Sequence, residues 1–347
     1  MAATGILAQP EAFTGLRAVH LRHDLAAIAD LIEICFAASL DAAGRSAIHE
    51  MRALSRTGPL LWLLTRLGQG IPGMYGYVWV ERGRLVGNVT LTPAGYGGGW
   101  MIANVAVLPE YRRRGIARRL MQAALAFAEE RGAFAVLQVD ADNNAALDLY
   151  ARLGFRLQRT FTRWRRPAYQ RPPLLPPAMP DVRPLARAEA DSLYALAVSV
   201  RPDSRGGLGW LRPVTPAALR PARWAALRYA LSGQRVETWV VPGEGGQLDA
   251  ALRVEQRIGG LTRLFDLLVA PQRAGELESP LLNFALRRLI AREHSALTDH
   301  PTDDPAAGAA LRENLFRPER VLVHMFRPAP THSGGRYPGS PGGESVR

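Results

Sequence analysis

The order of apolar and polar residues predicts strands and helices in succession along the first half of the chain. Apolar residues at helical spacing predict one helix that begins at Asp24, its predicted N-cap, and a second helix at 46–55. Alternating residues on both sides of an Arg-Gly-Arg turn predict a hairpin of strands at 75–81 and 85–93. The other elements predicted in this half are strands at 16–20, 101–108, 133–139 and 155–164, helices at 116–128 and 145–153, and a turn at 95–99.

Residues 101–120 carry the pattern with the clearest chemical meaning. Pro109 ends a buried strand and Gly115 opens a helix, so the backbone at 113–118 must form a first helical turn. The amides of a first turn have no partners within the helix, and the helix dipole favours an anion beside them. Gly115 and the small Ala117 leave room against the backbone, and the surrounding arginines add positive charge. The stretch therefore predicts a cradle for a diphosphate.

Two blocks of this sequence resemble the GCN5-related N-acetyltransferase (GNAT) family. The first, Arg112-Arg113-Arg114-Gly115-Ile116-Ala117, resembles the acetyl-CoA signature Arg/Gln-x-x-Gly-x-Gly/Ala. The second, at 143–155, resembles the block Asn-x-x-Ala-x-x-x-Tyr-x-x-x-Gly-Phe and follows at the expected distance of roughly 30 residues. The resemblance covers about residues 15–165. It implies an α/β fold of the α+β type, with helices around a mixed, mostly antiparallel sheet, and acetyl transfer from acetyl-CoA to a primary amine.

The resemblance also implies how acetyl-CoA is bound as a co-substrate, without a metal. The strand edge at 105–107 pairs with the pantetheine arm, an N–H near Val105 polarises the thioester carbonyl, and Asn143 hydrogen-bonds the arm. Residues 36–72 help to select the acceptor. The full set of implied cofactor contacts is Val105, Ala106, Val107, Arg112, Arg113, Arg114, Gly115, Ile116, Ala117, Arg118, Asn143 and Tyr150.

Tyr150 is the candidate catalytic acid. It matches the family tyrosine that faces the sulfur, and a phenol with a reference pKa of about 10 is protonated at neutral pH. Its alternative role is that of a half-buried aromatic residue that anchors a short helix. Asn143 has an alternative role of the same kind, as the cap of that helix.

The sequence assigns no general base. Gln138 stands five residues before the asparagine, where some members of the family have a glutamate. Ala103 and Asn104 stand where other members have a carboxylate, and neither can ionise. Asp140 and Asp142 lie at the end of the strand and act either through water or as acids that cap the next turn; we favour the second role.

Seven prolines between residues 165 and 184 predict a semi-rigid linker that divides the chain in two. Beyond the linker the sequence repeats features of the first half, and it includes a predicted helix at 280–290. The matching segments are 183–193 with 17–25, 267–271 with 105–109, and 310–316 with 149–155.

The repeat lacks the residues of the cradle. Ala274 and Leu277 replace Arg112 and Gly115, and Leu311 or Arg312 replaces Tyr150, so no cofactor is expected to bind in the second half. The predicted domains are a flexible leader at 1–14, a catalytic domain at 15–165, a linker at 166–180, a degenerate acetyltransferase-like domain at 181–328 and a disordered tail at 329–347.

The composition adds positive charge without the pattern of a nucleic-acid-binding protein. The net charge is +12, but all 43 basic residues are arginines scattered without interleaved aromatic residues, so nucleic acid is not the expected partner. The single cysteine, Cys35, is predicted to be buried in a helix and excludes an intrachain disulfide. Because no signal-peptide pattern or long apolar stretch occurs, we expect a cytoplasmic protein without membrane contact, for which a homodimer is possible.

Two further clusters resemble binding sites only superficially. His20 and His23 are three residues apart near a predicted strand end and should point to different faces, which argues against a metal site. The acidic segment at 299–304, which includes His300, is predicted to be a solvated loop.

Three functional hypotheses follow. The leading one is a small-molecule N-acetyltransferase with its active site in residues 15–165, which a cleft covered by the second domain would favour. A protein N-terminal or lysine acetyltransferase is the alternative that an open groove would favour. A CoA-binding sensor or scaffold without catalysis is the third, and the missing carboxylate motivates it.

Overall fold

The computed structural model groups the chain into two units, each with its own internal contacts. The first unit contains the residues up to Leu91, residues 104–135 and those from Arg327 onwards. The second unit contains Thr92–Ala103 and Val136–Phe326. The residues that the structure describes are 13–37, 40, 42–56, 75–94, 98–171, 173, 180–201, 216–219, 234–257 and 259–330.

The first unit combines a sheet with three helices. Its elements are β1 (Gly15–Ala18), α1 (Leu21–Phe36), α2 (Ala42–Arg56), β2 (Tyr75–Glu81), β3 (Arg84–Pro93), β4 (Trp100–Val107) and α3 (Ile116–Glu129), of which β3 and β4 continue into the second unit. The strand order is β1-β2-β3-β4, and the first two pairs are antiparallel. The predicted hairpin of β2 and β3 is confirmed, with Gly83 in the left-handed region at its turn (φ 79°).

Close packing of helices on this sheet explains the apolar pattern. Ile28 and Ile32 of α1 are buried in one cluster with Val78 of β2, as their helical spacing predicts. On β3, Gly87 faces α3, and a Cβ atom there would lie 3.0 Å from the Leu120 side chain. Glycine at position 87 therefore lets α3 pack closely against β3.

The start of α1 differs from the sequence prediction. The helix begins at Leu21, and Asp24 lies within its first turn rather than at the cap. The Asp24 carboxylate instead accepts the backbone N–H of His20 at 2.7 Å and the guanidinium of Arg17 at 2.6 Å. Asp24 thus satisfies the helix end from inside the first turn, which reaches one turn earlier than the apolar spacing predicts.

The second unit contains the remaining strands and helices. Its elements are β5 (Ala135–Asp140), α4 (Asn144–Arg152), β6 (Arg156–Arg166), β7 (Arg183–Pro184), α5 (Ala190–Val200), α6 (Pro216–Leu219), β8 (Gln234–Pro242), β9 (Leu248–Arg257), β10 (Thr262–Val269), α7 (Glu278–Phe284), β11 (Ser295–Pro301), α8 (Pro305–Glu313) and β12 (Arg317–Arg327). The strand order is β5-β12-β6-β11-β10-β9-β8-β7. Only β10 and β11 form a parallel pair among the registers seen here, and they pair over three residues before they separate. This sheet is mixed and mostly antiparallel, as predicted.

The final strands of the two sequence repeats are exchanged within this sheet. β6 precedes the linker but pairs antiparallel with β11 and β12, which follow it; Thr162 lies opposite both His300 and Val321. In the same way β12 lies between β5 and β6. The predicted domain limits at 15–165 and 181–328 stay a prediction, because the two units group strands by contact and place β5 and β6 with β11 and β12.

The predicted repeat is visible in the local geometry of the second half. A short 3₁₀ turn at Pro271–Arg273 follows β10, as one at Pro109–Tyr111 follows β4. Arg183 binds the Glu189 carboxylate at 2.8 Å, as Arg17 binds Asp24. The helix predicted at 280–290 is shorter, because α7 ends at Phe284 and the chain continues as a π-helical turn at Ala285–Leu289.

Several predictions fall on residues outside the described part of the chain. They concern the leader up to residue 12, residues 57–72 of the segment predicted to select the acceptor, the turn at 95–97, linker residues 172 and 174–179, and the tail from residue 331. Arg166, predicted to begin the linker, is the last residue of β6. Among the helices that the structure describes, none has the length and apolar character to cross a membrane.

Candidate active site

The backbone between β4 and α3 forms an open, left-handed entry into the helix. Arg113 and Gly115 both have positive φ angles, 64° and 77°. The first helical bond of α3 runs from the N–H of Arg119 to the carbonyl of Gly115 at 3.1 Å, so the amides of 116–118 precede it. Gly115 is the N-cap and has no side chain that can cap these amides. The predicted cradle thus has the required backbone geometry.

The surroundings of the cradle are open and basic. A Cβ atom at Gly115 would meet nothing within 4 Å, and Gly115, Arg113 and Arg118 are exposed. Ala117 is half-buried, and the Ile116 side chain is buried, so Ile116 offers only its backbone to a ligand. The arginines therefore remain available to add charge beside the amides.

Two arginines of the signature also bind the turn itself. Arg112 donates from Nε to the carbonyl of Val107 at 3.1 Å, which connects the end of β4 to the cradle. Arg114 donates from Nη2 to the carbonyl of Glu110 at 3.1 Å, and its guanidinium lies 5.0 Å from the centre of the Tyr111 ring. These contacts fix the loop without using the amides of the helix.

Cys35 contributes to the same corner. Its Sγ donates to the carbonyl of Val107 at 3.3 Å, the oxygen that Arg112 also binds. Burial raises the pKa of the thiol, so the neutral form is favoured. Cys35 is half-buried in α1 rather than fully buried as predicted, and its role here is structural.

A buried polar cluster supports an irregularity in β4. Asn104 has a left-handed backbone (φ 52°) in the middle of the strand, where such a residue marks strain or a bulge. Asn88 of β3 is fully buried and donates from Nδ2 to the carbonyl of Asn104 at 3.1 Å and to Oγ1 of Thr90 at 3.2 Å. The bulge immediately precedes Val105, whose N–H is the implied oxyanion donor. Neither Asn88 nor Thr90 was predicted as a site residue, although both alternate with apolar residues along β3 and this pattern places them on one face of the strand.

The second block that resembles the family, at 143–155, lies in the second unit, whereas residues 105–107 and 113–118 lie in the first. Asn143 caps α4, since its Oδ1 accepts the N–H of Ala146 at 3.2 Å; this leaves its amide N–H groups for a ligand. Tyr150 is 7% exposed, and its ring meets that of Phe155 edge-on at 6.0 Å. Burial raises the pKa of Tyr150 to about 12, so the phenol is protonated at neutral pH.

The residues weighed as general bases have different surroundings. Asp140 lies 3.7 Å from Arg320, and Asp142 is exposed. Gln138 of β5 is half-buried, and its Nε2 lies 3.0 Å from Nε2 of His324 on β12. The sequence analysis missed His324, because a single histidine in an apolar strand carries no signal of its own.

His20 and His23 differ from their predicted geometry. The rings of His20 and His23 lie 4.7 Å apart rather than on different faces, because the helix already begins at Leu21. Asp24 is bound to Arg17, and the described residues contain no group of three potential metal ligands.

The acidic segment at 299–304 is not a solvated loop. Asp299 and His300 belong to β11, where Asp299 binds Arg163 at 2.7 Å. His300 is buried and lies 2.9 Å from Asp304, which caps α8. These acids are therefore held in ion pairs and a helix cap.

The second half fills its own version of the cradle. Leu277 is the N-cap of α7 with φ −104°, in contrast to the left-handed Gly115 of α3. The next residue, Glu278, is 2% exposed, and its carboxylate accepts the N–H of Gly275 at 2.8 Å. An internal anion thus lies where the first half leaves its turn open.

Part of the chain is similar to proteins of a known family. Residues 46–155 match the acetyltransferase (GNAT) family model. N-alpha-acetyltransferase 30 of Schizosaccharomyces pombe is 38% identical over 85 residues, which are 23% of this chain. The match spans 57% of the length of that relative.

Two solved structures share the fold. A GCN5-related N-acetyltransferase from Sphaerobacter thermophilus has a TM-score of 0.59 at 16% identity and covers 90% of this chain and 96% of its own. A tandem GNAT protein from the clavulanic acid biosynthesis pathway has a TM-score of 0.55 at 17% identity and covers 90% and 98%. At these identities the likeness is one of fold. Residues 46–155 thus match the acetyltransferase (GNAT) family, and the likeness of fold extends over about 90% of the chain.

Proposed function

We propose that this protein is an acetyl-CoA-dependent N-acetyltransferase that acetylates the primary amine of a small molecule. The open entry to α3 carries the proposal. Gly115 gives the chain a left-handed turn without a side chain, and the amides of 116–118 point out of a basic surface. This arrangement suits the linked phosphates of coenzyme A.

In the proposed complex, residues 113–118 bind the diphosphate and the edge of β4 binds the pantetheine arm. The bulge at Asn104 turns the strand just before Val105, so that the N–H of Val105 serves as the oxyanion donor. Asn143 adds a side-chain amide to the arm. Residues 15–165 form the catalytic domain in this proposal, and residues 181–328 form a domain without a cofactor site.

The proposed reaction is direct attack. The lone pair of the amine nitrogen forms a bond to the acetyl carbon, and the carbonyl electrons move to the oxygen beside the Val105 N–H. The intermediate then collapses, the C–S bond breaks, and the Tyr150 hydroxyl gives its proton to the leaving thiolate. The surplus proton of the amine passes through water and restores the phenol. The products are an acetamide and the free thiol of CoA.

No carboxylate stands at Gln138 or Ala103, so the acceptor is bound as a free amine or loses its proton to water. The transfer rate is therefore expected to rise with pH until the acceptor is fully deprotonated. This requirement favours acceptors with an amine of low pKa.

Titration of acetyl-CoA by calorimetry tests the cradle. We expect Gly115→Glu to weaken binding more than about 100-fold, because it brings a negative side chain into the anion site. Gly132→Glu is the matched control, since Gly132 lies at the other end of the same helix with a similar φ of 60° and equally open surroundings. Equal affinities of the two variants would refute the cradle.

A second candidate is the acetylation of protein N-termini. The 38% identity to N-alpha-acetyltransferase 30 over 85 residues favours it. Release of CoA thiol is measured with a polyamine, an aminoglycoside and a hexapeptide with a free N-terminus or a lysine. Preference for the peptide would replace the small-molecule proposal. Tight acetyl-CoA binding without turnover of any amine would identify a CoA-binding sensor or scaffold instead.

A further inference from the structure

The exchange of final strands brings a residue of the second half beside β5. His324 is carried by β12, 186 positions after Gln138, and its Nε2 lies 3.0 Å from Nε2 of the Gln138 amide. The two strands are also joined by the N–H of Ala141, which donates to the carbonyl of Val321 at 2.9 Å. His324 is 4% exposed and its ring stacks on Phe161 at 4.3 Å. The histidine is therefore held firmly against the amide.

The chemistry of the two nitrogens fixes the direction of this hydrogen bond. An amide nitrogen can only donate, so Gln138 donates and Nε2 of His324 accepts. The imidazole is then neutral with its proton on Nδ1. This bond uses one of the two N–H groups of the Gln138 amide, and the amide oxygen, Oε1, is the group that can accept.

From this juxtaposition we propose that His324 is a positioning residue for the transfer, which fixes the Gln138 amide so that its Oε1 accepts an N–H of the acceptor amine. The proposal rests on the function proposed above. An amine held by one N–H has its lone pair directed away from Gln138, ready to attack. No proton is transferred to either side chain in this step. The second half of the chain would then contribute to catalysis without binding a cofactor.

The equivalent place in the second half is occupied differently. Counted from Phe155 and Phe316, which precede β6 and β12, Arg163 takes the place of His324. Arg163 binds Asp299 of β11 through two hydrogen bonds of 2.7 and 2.8 Å. That pair is an ion pair with both partners charged and mutually satisfied. Only the pair on β5 and β12 consists of two neutral groups that still offer an acceptor.

His324 does not serve as a general base itself. Its Nε2 lone pair accepts the Gln138 N–H, and the ring is almost completely buried. Burial lowers the pKa of His324 to about 4, with Arg159 acting in the same direction and Asp299 against it. An imidazole of such low basicity at neutral pH stays uncharged, which suits a fixed hydrogen-bond acceptor.

The test compares His324→Phe, Gln138→Ala and the double variant in the full-length protein. Phenylalanine keeps an aromatic ring against Phe161 but removes the acceptor nitrogen. His324→Gln is the conservative variant, because its side-chain oxygen can again accept the Gln138 N–H. Asp299→Asn breaks the equivalent ion pair in the second half and is the matched control. Thiol release is measured with the polyamine, the aminoglycoside and the hexapeptide at saturating acetyl-CoA, and acetyl-CoA affinity by calorimetry.

We expect His324→Phe to lower kcat/KM for the acceptor about tenfold, mainly through KM, with unchanged acetyl-CoA affinity. Gln138→Ala should cost the same factor, the double variant no more than either, and His324→Gln should recover most of the loss. Asp299→Asn should leave the acceptor KM unchanged. Wild-type KM in His324→Phe, or losses that multiply in the double variant, would overturn the proposal. An inactive wild type that binds acetyl-CoA would refute the proposed function and this inference together, and so differs from failure of the inference alone.

Discussion

Glu278 and Gly275 form the hydrogen bond that closes the cradle of the second half, at 2.8 Å between the carboxylate and the backbone N–H. Gly275 has a φ of 87° and stands in the turn where the first half has the left-handed Arg113. The same turn therefore exists in both halves. In one it is satisfied by a buried side chain, and in the other it is left to the solvent or a ligand.

Removal of this carboxylate should destabilise the protein without creating a second cofactor site. Glu278→Ala deletes a buried, charge-assisted hydrogen bond, so the free energy of unfolding should fall by about 2 kcal/mol. Urea denaturation measures this change, with the exposed Glu276→Gln as a control of much smaller effect. Calorimetry should give one bound acetyl-CoA per chain both in the wild type and in the variant. Two binding sites in the wild type would contradict the proposal that the second half has no cofactor site.

Tyr150→Phe should separate binding from catalysis. The variant removes only the hydroxyl of a buried ring, so acetyl-CoA affinity should stay within about twofold while kcat falls roughly 10- to 100-fold. Because the pKa of Tyr150 is raised to about 12, its ionisation should cause no loss of activity as the pH rises to about 10. The exposed Tyr169→Phe serves as the control. Undiminished turnover would remove Tyr150 as the acid.

Asn88→Ala should release the bulge of β4. It removes the hydrogen bonds of the fully buried Asn88 side chain to the Asn104 carbonyl and to Thr90, so unfolding should need about 2 kcal/mol less. Asn104→Gly should change stability by less than about 1 kcal/mol, because glycine accepts the positive φ without strain. Chemical denaturation of both variants decides this. A stable Asn88→Ala variant would show that the bulge does not depend on Asn88.

The buried His324 should make the fold sensitive to mild acid. Its pKa is about 4 in the folded protein and about 6.5 in an unfolded chain, so between these values the unfolded chain binds the extra proton. The contribution of His324 to the free energy of unfolding is therefore fully present above about pH 6.5. The free energy of unfolding falls by roughly 3 kcal/mol as the pH drops to about 4. Thermal denaturation across this range measures the loss.

His324→Phe should remove the part of that pH dependence due to His324 and leave the part due to His300. Burial lowers the pKa of His300 as well, so its contribution has the same sign. The charged groups that act on His324 are Asp299, which raises its pKa, and Arg159, which lowers it. An unchanged pH profile in His324→Phe would assign the acid sensitivity elsewhere.

The sequence predicted the parts of the site that depend on local order. Gly115, the helix that follows it and the cap at Asn143 are decided by neighbours in the chain, and their geometry follows from short-range rules. Predictions failed where distant residues decide. The sequence around Asp299 predicts a loop, because the partner that holds it in β11, Arg163, lies 136 positions away.

The same limit explains why His324 was missed. Its partner is set by the order of strands in the sheet, which no pattern within β12 reveals. The bulge at Asn104 is likewise fixed by a side chain of β3 rather than by β4 itself. Local sequence thus predicts the open start of α3, whereas the surroundings of Gln138 depend on tertiary pairing.

The exchange of β6 and β12 also means that neither half of the chain can be removed without loss of strands that the other half pairs with. If the chain were cut at the proline-rich linker, β6 of the first polypeptide would still have to pair with β11 and β12 of the second, and β12 would still have to lie between β5 and β6. Loss of the second half, which contains β11 and β12, would leave β5 and β6 with exposed edges, and such edges promote aggregation. The second half is therefore required to complete the sheet around β5 and β6, whatever its own ability to bind acetyl-CoA.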